Sequence, residues 1–200
     1  MHGIVRSLAL ALLALAWASP VRADDIGDKL EAASSAYGHG DLLHALEAVQ
    51  SARTLLTGRL VDLFAKTLPP PPAGWDTAPA ESQPLDQIGG GLTITRGFQK
   101  GDSTLNASLL IDNPAVANIV SLFQPGSPPP EDGGTWKTVA VGGETALLRF
   151  DSANREGEVV MAVQGRAALQ IEGSEIDDEN ILVGAARGWN LALLKKLLGS

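Results

Sequence analysis

The 200-residue chain contains no cysteine. That one absence removes disulfides, thiolate metal sites, thiol nucleophiles and a lipid-modified N-terminal cysteine together. Small secreted eukaryotic domains usually lean on disulfides, whereas a chain of this length can be held by its core, so the absence favours a bacterial envelope origin. Histidine is nearly as scarce, at three residues, and beyond the leader only His39 and His44 remain. On a helix they would point about 140° apart, and His39 falls in a glycine-flanked turn, so they do not form the four-residue pair of a zinc-binding helix. Basic residues number 15 against 23 acidic ones. Nucleic acid and anionic lipid are therefore disfavoured as partners, because both require clustered cations. No apolar run approaches the roughly 20 residues of a membrane-spanning helix, so no stable membrane span is expected once the leader is removed.

The longest apolar run, Leu8 to Ala18, belongs to a three-part secretory leader. Arg6 gives the basic start, and Val21-Arg22-Ala23 offers small residues where a signal peptidase reads, with Ala16-Trp17-Ala18 as a second cleavage candidate weakened by Pro20. Cleavage after Ala23 is expected, with release into the periplasm of a Gram-negative bacterium. The leader holds two basic residues and no acidic ones, so its removal leaves 177 residues and takes the net charge from −8 to −10.

Two proline-rich stretches, Pro69 to Pro72 and Pro125 to Gly134, punctuate the remainder. Proline lacks an amide hydrogen and fixes φ, so the first ends any helix before it. The organisation read from this is a leader over 1–23, a helical hairpin over 24–68, a Pro/Gly-rich linker over 69–91 and a sheet domain over 92–200. In the hairpin, helices over Ile26 to Tyr37 and Asp41 to Leu68 are joined by Gly38-His39-Gly40. Leu42, Leu46, Val49, Leu56, Leu60 and Phe64 form an apolar stripe on the second helix, with Asp41 as its N-cap.

After the linker the period changes to two. Strands are expected over Leu92 to Phe98, Leu105 to Ile111, Thr135 to Val141, Thr145 to Phe150, Glu158 to Val163 and Ala167 to Ile171. A short helix, Ala115 to Phe123, follows Asp112-Asn113-Pro114. A C-terminal helix runs from Asp177 to Leu198, bent or divided at Gly184 and Gly188. The expected class is α+β: a helical hairpin, then a mainly antiparallel six-stranded sheet in ββαββββα order, covered by helices.

Ala33, Tyr37, Gly40-Asp41, Ala45 and Ala52 resemble half of a tetratricopeptide repeat over about 20 residues, although the second helix continues past Thr57 where that family places a proline. A single repeat cannot bury both faces, so the pair reads as local helix packing, with a repeat-type peptide groove as the alternative. The succession Pro69-Pro70-Pro71-Pro72-Ala73-Gly74-Trp75, Gly89-Gly90-Gly91, Asp112-Asn113-Pro114 and Leu169-Gln170-Ile171-Glu172-Gly173 resembles a family of uncharacterised exported proteins of proteobacteria. At the level of fold the chain is also similar to PsbP/Mog1-like sandwiches. Neither resemblance implies an activity or a catalytic residue.

No catalytic, cofactor-binding or metal-binding residues emerge. The chain has no Gly-x-Ser-x-Gly elbow, and Ser108 sits within a strand. Gly89 to Gly91 lack the Gly-Lys-Ser/Thr of a nucleotide loop and read as a hinge or bulge. Glu172, Glu175, Asp177, Asp178 and Glu179 lack the alternating oxygens of a calcium loop and suit the first turn of a helix. Among the few aromatics, Tyr37, Trp75, Trp136 and Trp189 are the candidate contacts for a partner or an apolar ligand; each tryptophan could equally anchor a join in the fold. The function expected is a non-enzymatic envelope protein that binds another protein through the hairpin or a sheet edge. The alternative is a carrier of a small apolar ligand near Leu105, Leu109 and Leu193. An enzyme built on an acidic pair visible only in three dimensions is the third reading.

Overall fold

The computed structural model describes residues 25–86, 89–124, 126 and 135–199. The leader, its cleavage site and most of the second proline-rich stretch lie outside the described residues. The chain divides into two compact units, the first ending at Leu56 and the second opening at Thr57.

The first unit holds α1 (Asp25–Gly38) and the beginning of α2 (Leu42–Ala65). Asp25 and Asp28 occupy the first turn of α1, where carboxylates complement the helix dipole. Its last turn closes by bonds from the His39 amide to the Ser35 carbonyl (3.1 Å) and from the Asp41 amide to the Ala36 carbonyl (2.9 Å). Asp41 then accepts from the His44 amide at 3.2 Å, the N-cap bond expected of it. Ile26 and Ala33 on α1, and Ala45 and Ala52 on α2, are buried; each pair is separated by seven residues, so each marks one face of its helix.

The second unit is built on one antiparallel sheet of eight strands: β1 (Asp76–Thr77), β2 (Glu81–Pro84), β3 (Leu92–Lys100), β4 (Ser103–Ile111), β5 (Trp136–Val141), β6 (Glu144–Asp151), β7 (Glu156–Val163) and β8 (Ala167–Ser174). The order across it is β1-β3-β4-β8-β7-β6-β5, with β2 beside β1 along the outer edge of β3. The expectation of six strands is corrected to eight. The two additional strands lie between the proline run and Leu92, are exposed throughout, and show no apolar alternation. The three residues between Thr77 and Glu81 answer the two between Phe98 and Thr95, a bulge that accommodates Pro79. Proline is tolerated there because an edge strand leaves amides unpaired.

The meander β5-β6-β7-β8 returns to set β8 against β4 through eight residue pairs, Thr104↔Ser174 to Ile111↔Ala167. The β5-β6 connection is the two-residue turn Gly142-Gly143, with φ of +56° and +87°, the positive pair that a tight hairpin demands. Alternation along the strands sends Ile94, Leu109, Leu148, Met161, Leu169 and Ile171 to one face, where they are fully buried. That core also takes Phe64 and Leu68 from the end of α2, together with residues of α4 (Glu179–Arg187) and α5 (Leu191–Leu198). On the other face α3 (Ala115–Ser121) lies against β7 and β8, burying Val116 with the outward-pointing Val160 and Ala168.

The C-terminal helix is divided, as one of the two expected forms had it. Gly188 caps α4 and Asn190 caps α5, accepting from the Leu193 amide at 3.0 Å. A Cβ on Gly188 would lie 3.0 Å from Pro69 and 3.2 Å from Pro70, so the proline run passes close against the break.

Candidate docking surface

The four candidate contact residues do not converge. Tyr37 stands exposed near the end of α1. Trp75 is half-buried against the main core, and Trp189 is buried within it. Trp136 begins β5 on the outward face, where the Arg149 guanidinium sits 5.6 Å from its ring centroid, a cation–π contact. The indole nitrogens of Trp136 and Trp189 are buried without a hydrogen-bond partner among the described residues.

Trp136 opens a polar row that crosses four strands. Arg149 on β6 grips Glu158 on β7 through Nε (3.0 Å) and Nη2 (2.7 Å). Gln170 on β8 donates to the second oxygen of Glu158 at 2.9 Å and to Glu172 at 3.0 Å. Strand pairing brings these together, since Arg149 faces both Trp136 and Glu158 across the ladder. The row was not legible in the sequence, because its members on different strands are 9 to 36 residues apart and only the register aligns them.

The other chemistry-bearing groups are engaged in holding the fold. Asp178 caps α4, accepting from the Asn180 amide at 2.9 Å, and Glu179 pairs with Lys137 at 2.5 Å. Arg155 bridges Glu175 (2.6 Å) and Asp177 (2.8 Å). The glycine loop at 89–91 is clipped to the turn after β4: Asn113 donates to the Gly90 carbonyl at 2.6 Å, and a Cβ on Gly91 would lie 2.3 Å from the Ile111 carbonyl oxygen. His39 bonds the Ser35 carbonyl at 2.7 Å through Nδ1, and His44 bonds Asp41 at 2.6 Å. The Asp41 carboxylate raises the His44 pKa above its usual value, while its bonds to His44 lower that of Asp41. Among the described residues no three metal-ligating side chains gather.

An open cleft of about 450 Å³ lies beside the end of α2, lined by Leu68, Pro70, Arg96 and Gly188. Its Arg96 already donates to the Pro69 carbonyl (3.4 Å) and the Ala65 carbonyl (3.5 Å), capping the last turn of α2. Of the residues nominated for an apolar ligand, Leu105 and Leu109 are buried in the main core and Leu193 is half-buried on α5.

The remaining feature is a set of exposed apolar side chains on the helix pair. Among the described residues, every large apolar side chain left exposed lies on α1 or α2: Leu30 and Tyr37 on α1, and on α2 a row that includes Leu42, Leu46, Val49 and Leu56. The sheet, with all its apolar strands, contributes none. Exposed apolar side chains gathered on one element are candidates for an interaction surface. The periodicity of α2 was readable in the sequence; the exposure of its apolar residues was not.

Compared with family models, curated proteins and solved structures, the chain gives no match.

Proposed function

We propose that this chain is a non-enzymatic accessory protein of the bacterial envelope, exported to the periplasm behind a leader cleaved after Ala23, and that it acts by binding a polypeptide through its N-terminal helix pair. The confinement of all exposed large apolar side chains among the described residues to α1 and α2 carries this reading. Burying such surface stabilises an association by about 25 cal/mol per Å² before the costs of ordering, whereas leaving it in water favours aggregation. The sheet domain serves as the folded body to which α2 is tied, since Phe64 and Leu68 at its end belong to the sheet core.

The test places a photo-crosslinking residue at Leu46 of the full chain in its own host, with Thr138, exposed on β5, as the control. Leu46 is expected to yield a discrete protein adduct that Thr138 does not. Absence of any adduct from Leu46 would withdraw the proposal. N-terminal sequencing of the same material is expected to begin at Asp24, and retention of Met1 would remove export from it.

A further inference from the structure

Most of the exposed apolar residues of α2 fall on one heptad series, with Leu43 and Leu55 to either side of it. Leu42, Leu46, Val49, Arg53 and Leu56 follow one another at intervals of four, three, four and three, and in sequence Leu60 and Leu63 continue the same alternation. A period of 3.5 residues is the signature of a helix that winds around another helix, because it keeps one seam facing a partner over several turns. A helix merely resting on a sheet needs only the 3.6 period. On α1, Ile26, Leu30, Ala33 and Tyr37 repeat the pattern; Ile26 and Ala33 are buried, while Leu30 and Tyr37 look outward. Two consecutive helices with heptad spacing and an open apolar side constitute half of a four-helix bundle.

We infer that the missing half is a second copy of this chain, the two helix pairs closing around a two-fold axis into an intermolecular four-helix bundle. This rests on the protein-binding reading and names its partner. The surface is of the right size. Leu30, Tyr37, Leu42, Leu46, Val49 and Leu56 are between 44 and 71% exposed. At roughly 150–200 Å² for a whole large apolar side chain they offer on the order of 500–700 Å² per copy, so two copies bury about 1,000–1,300 Å², enough to clear the threshold of a specific interface. A two-fold arrangement needs one self-complementary patch and no second protein, and its symmetry closes the assembly at two copies. Arg53 is the one charged residue in the seam. A polar group at such a position restricts register and oligomer state while weakening association.

The decisive experiment is sedimentation equilibrium of the protein purified from its own host, alongside the full-chain variants Leu46→Glu/Val49→Glu and Arg53→Leu, all at exposed positions. The wild type is expected at twice the chain mass. The double glutamate variant should raise the dimer dissociation constant by roughly 100-fold or more with an unchanged circular dichroism spectrum, and Arg53→Leu should lower it by about tenfold. A monomeric wild type overturns the second copy. If Leu46 then crosslinks to a different protein in the cell, the protein-binding reading stands without it; if Leu46 crosslinks to nothing, both fall. A monomer that still carries Met1 assigns the seam to the leader's apolar run instead. A dimer unaffected by the glutamates, or not tightened by Arg53→Leu, places the interface elsewhere and overturns the inference.

Discussion

In the sheet, Leu109, Leu148 and Leu169 are sealed from water, whereas on α2 Leu42, Leu46 and Leu56 keep about half of their surface in it. The same residue type is present in both regions, and the difference lies in topology. The sheet closes its apolar face within its own unit, because the register of β4 on β8 aligns the inward residues of strands far apart in sequence and α4 and α5 cover them. A pair of helices has no third layer, so half of its apolar periphery stays open unless another chain supplies it. One region uses leucine to fold, and the other presents it.

The largest test of that contrast is a matched pair of truncations. Leu169→Ala removes atoms from a fully buried site and is expected to cost about 2–5 kcal/mol in denaturant unfolding. Leu46→Ala, with both proteins unfolded at high dilution, should stay within about 0.5 kcal/mol of the wild type. Equal costs would mean that the stripe on α2 is core in solution, and the distinction between the regions would collapse.

A smaller and more local comparison uses two glycines with left-handed backbones. Gly91, at the entrance to β3, has φ +87° and no room for a Cβ, whereas Gly40, in the turn between α1 and α2, has φ +74° and open space around it. Gly40→Ala should carry only the backbone strain, about 1–2 kcal/mol. Gly91→Ala adds a collision with the backbone at Ile111, so its melting temperature should fall well below that of Gly40→Ala. If the two variants melt together, the glycine loop is not held against the turn after β4 in the way its geometry requires.

Much of the fold was legible because periodicity is local. Alternation in Leu105 to Ile111 and the three-four spacing in α2 announce themselves within a dozen residues. The edge strands β1 and β2 lie within the stretch that reads as a Pro/Gly-rich linker, because strands exposed along their length carry no apolar pattern. Dividing the C-terminal helix needed knowledge of what lay beside Gly188, namely Pro69 and Pro70, more than a hundred residues earlier. The candidate docking surface was half legible. Its residues could be named from spacing, but their exposure depends on which elements the rest of the chain places against them. Trp136 illustrates the same limit, since the arginine that engages its ring is identified only by strand register.

The smallest expected effect is confined to the turn where α2 begins and should leave the sheet untouched. His44 and Asp41 are exposed, their bond is 2.6 Å long, and the carboxylate raises the imidazole pKa above 6.5. A raised histidine pKa contributes stability below pH 6.5 and loses it as pH climbs through the folded value; the lowered pKa of Asp41 contributes above pH 3.8 and is lost as pH falls through its own folded value. Amide protection in the first turn of α2 should therefore be greatest between about pH 4 and 6.5 and decline on the alkaline side, with high salt flattening the profile. Asp41→Asn separates the two roles of that residue, because asparagine can still cap the helix while lacking the charge that holds the imidazolium. In an NMR titration the His44 midpoint should lie above 6.5 in the wild type and return toward 6.5 in Asp41→Asn, with sheet amides unmoved in both. A wild-type midpoint at or below 6.5 would show that the pair does not form in solution, and that the helix begins on its backbone cap alone.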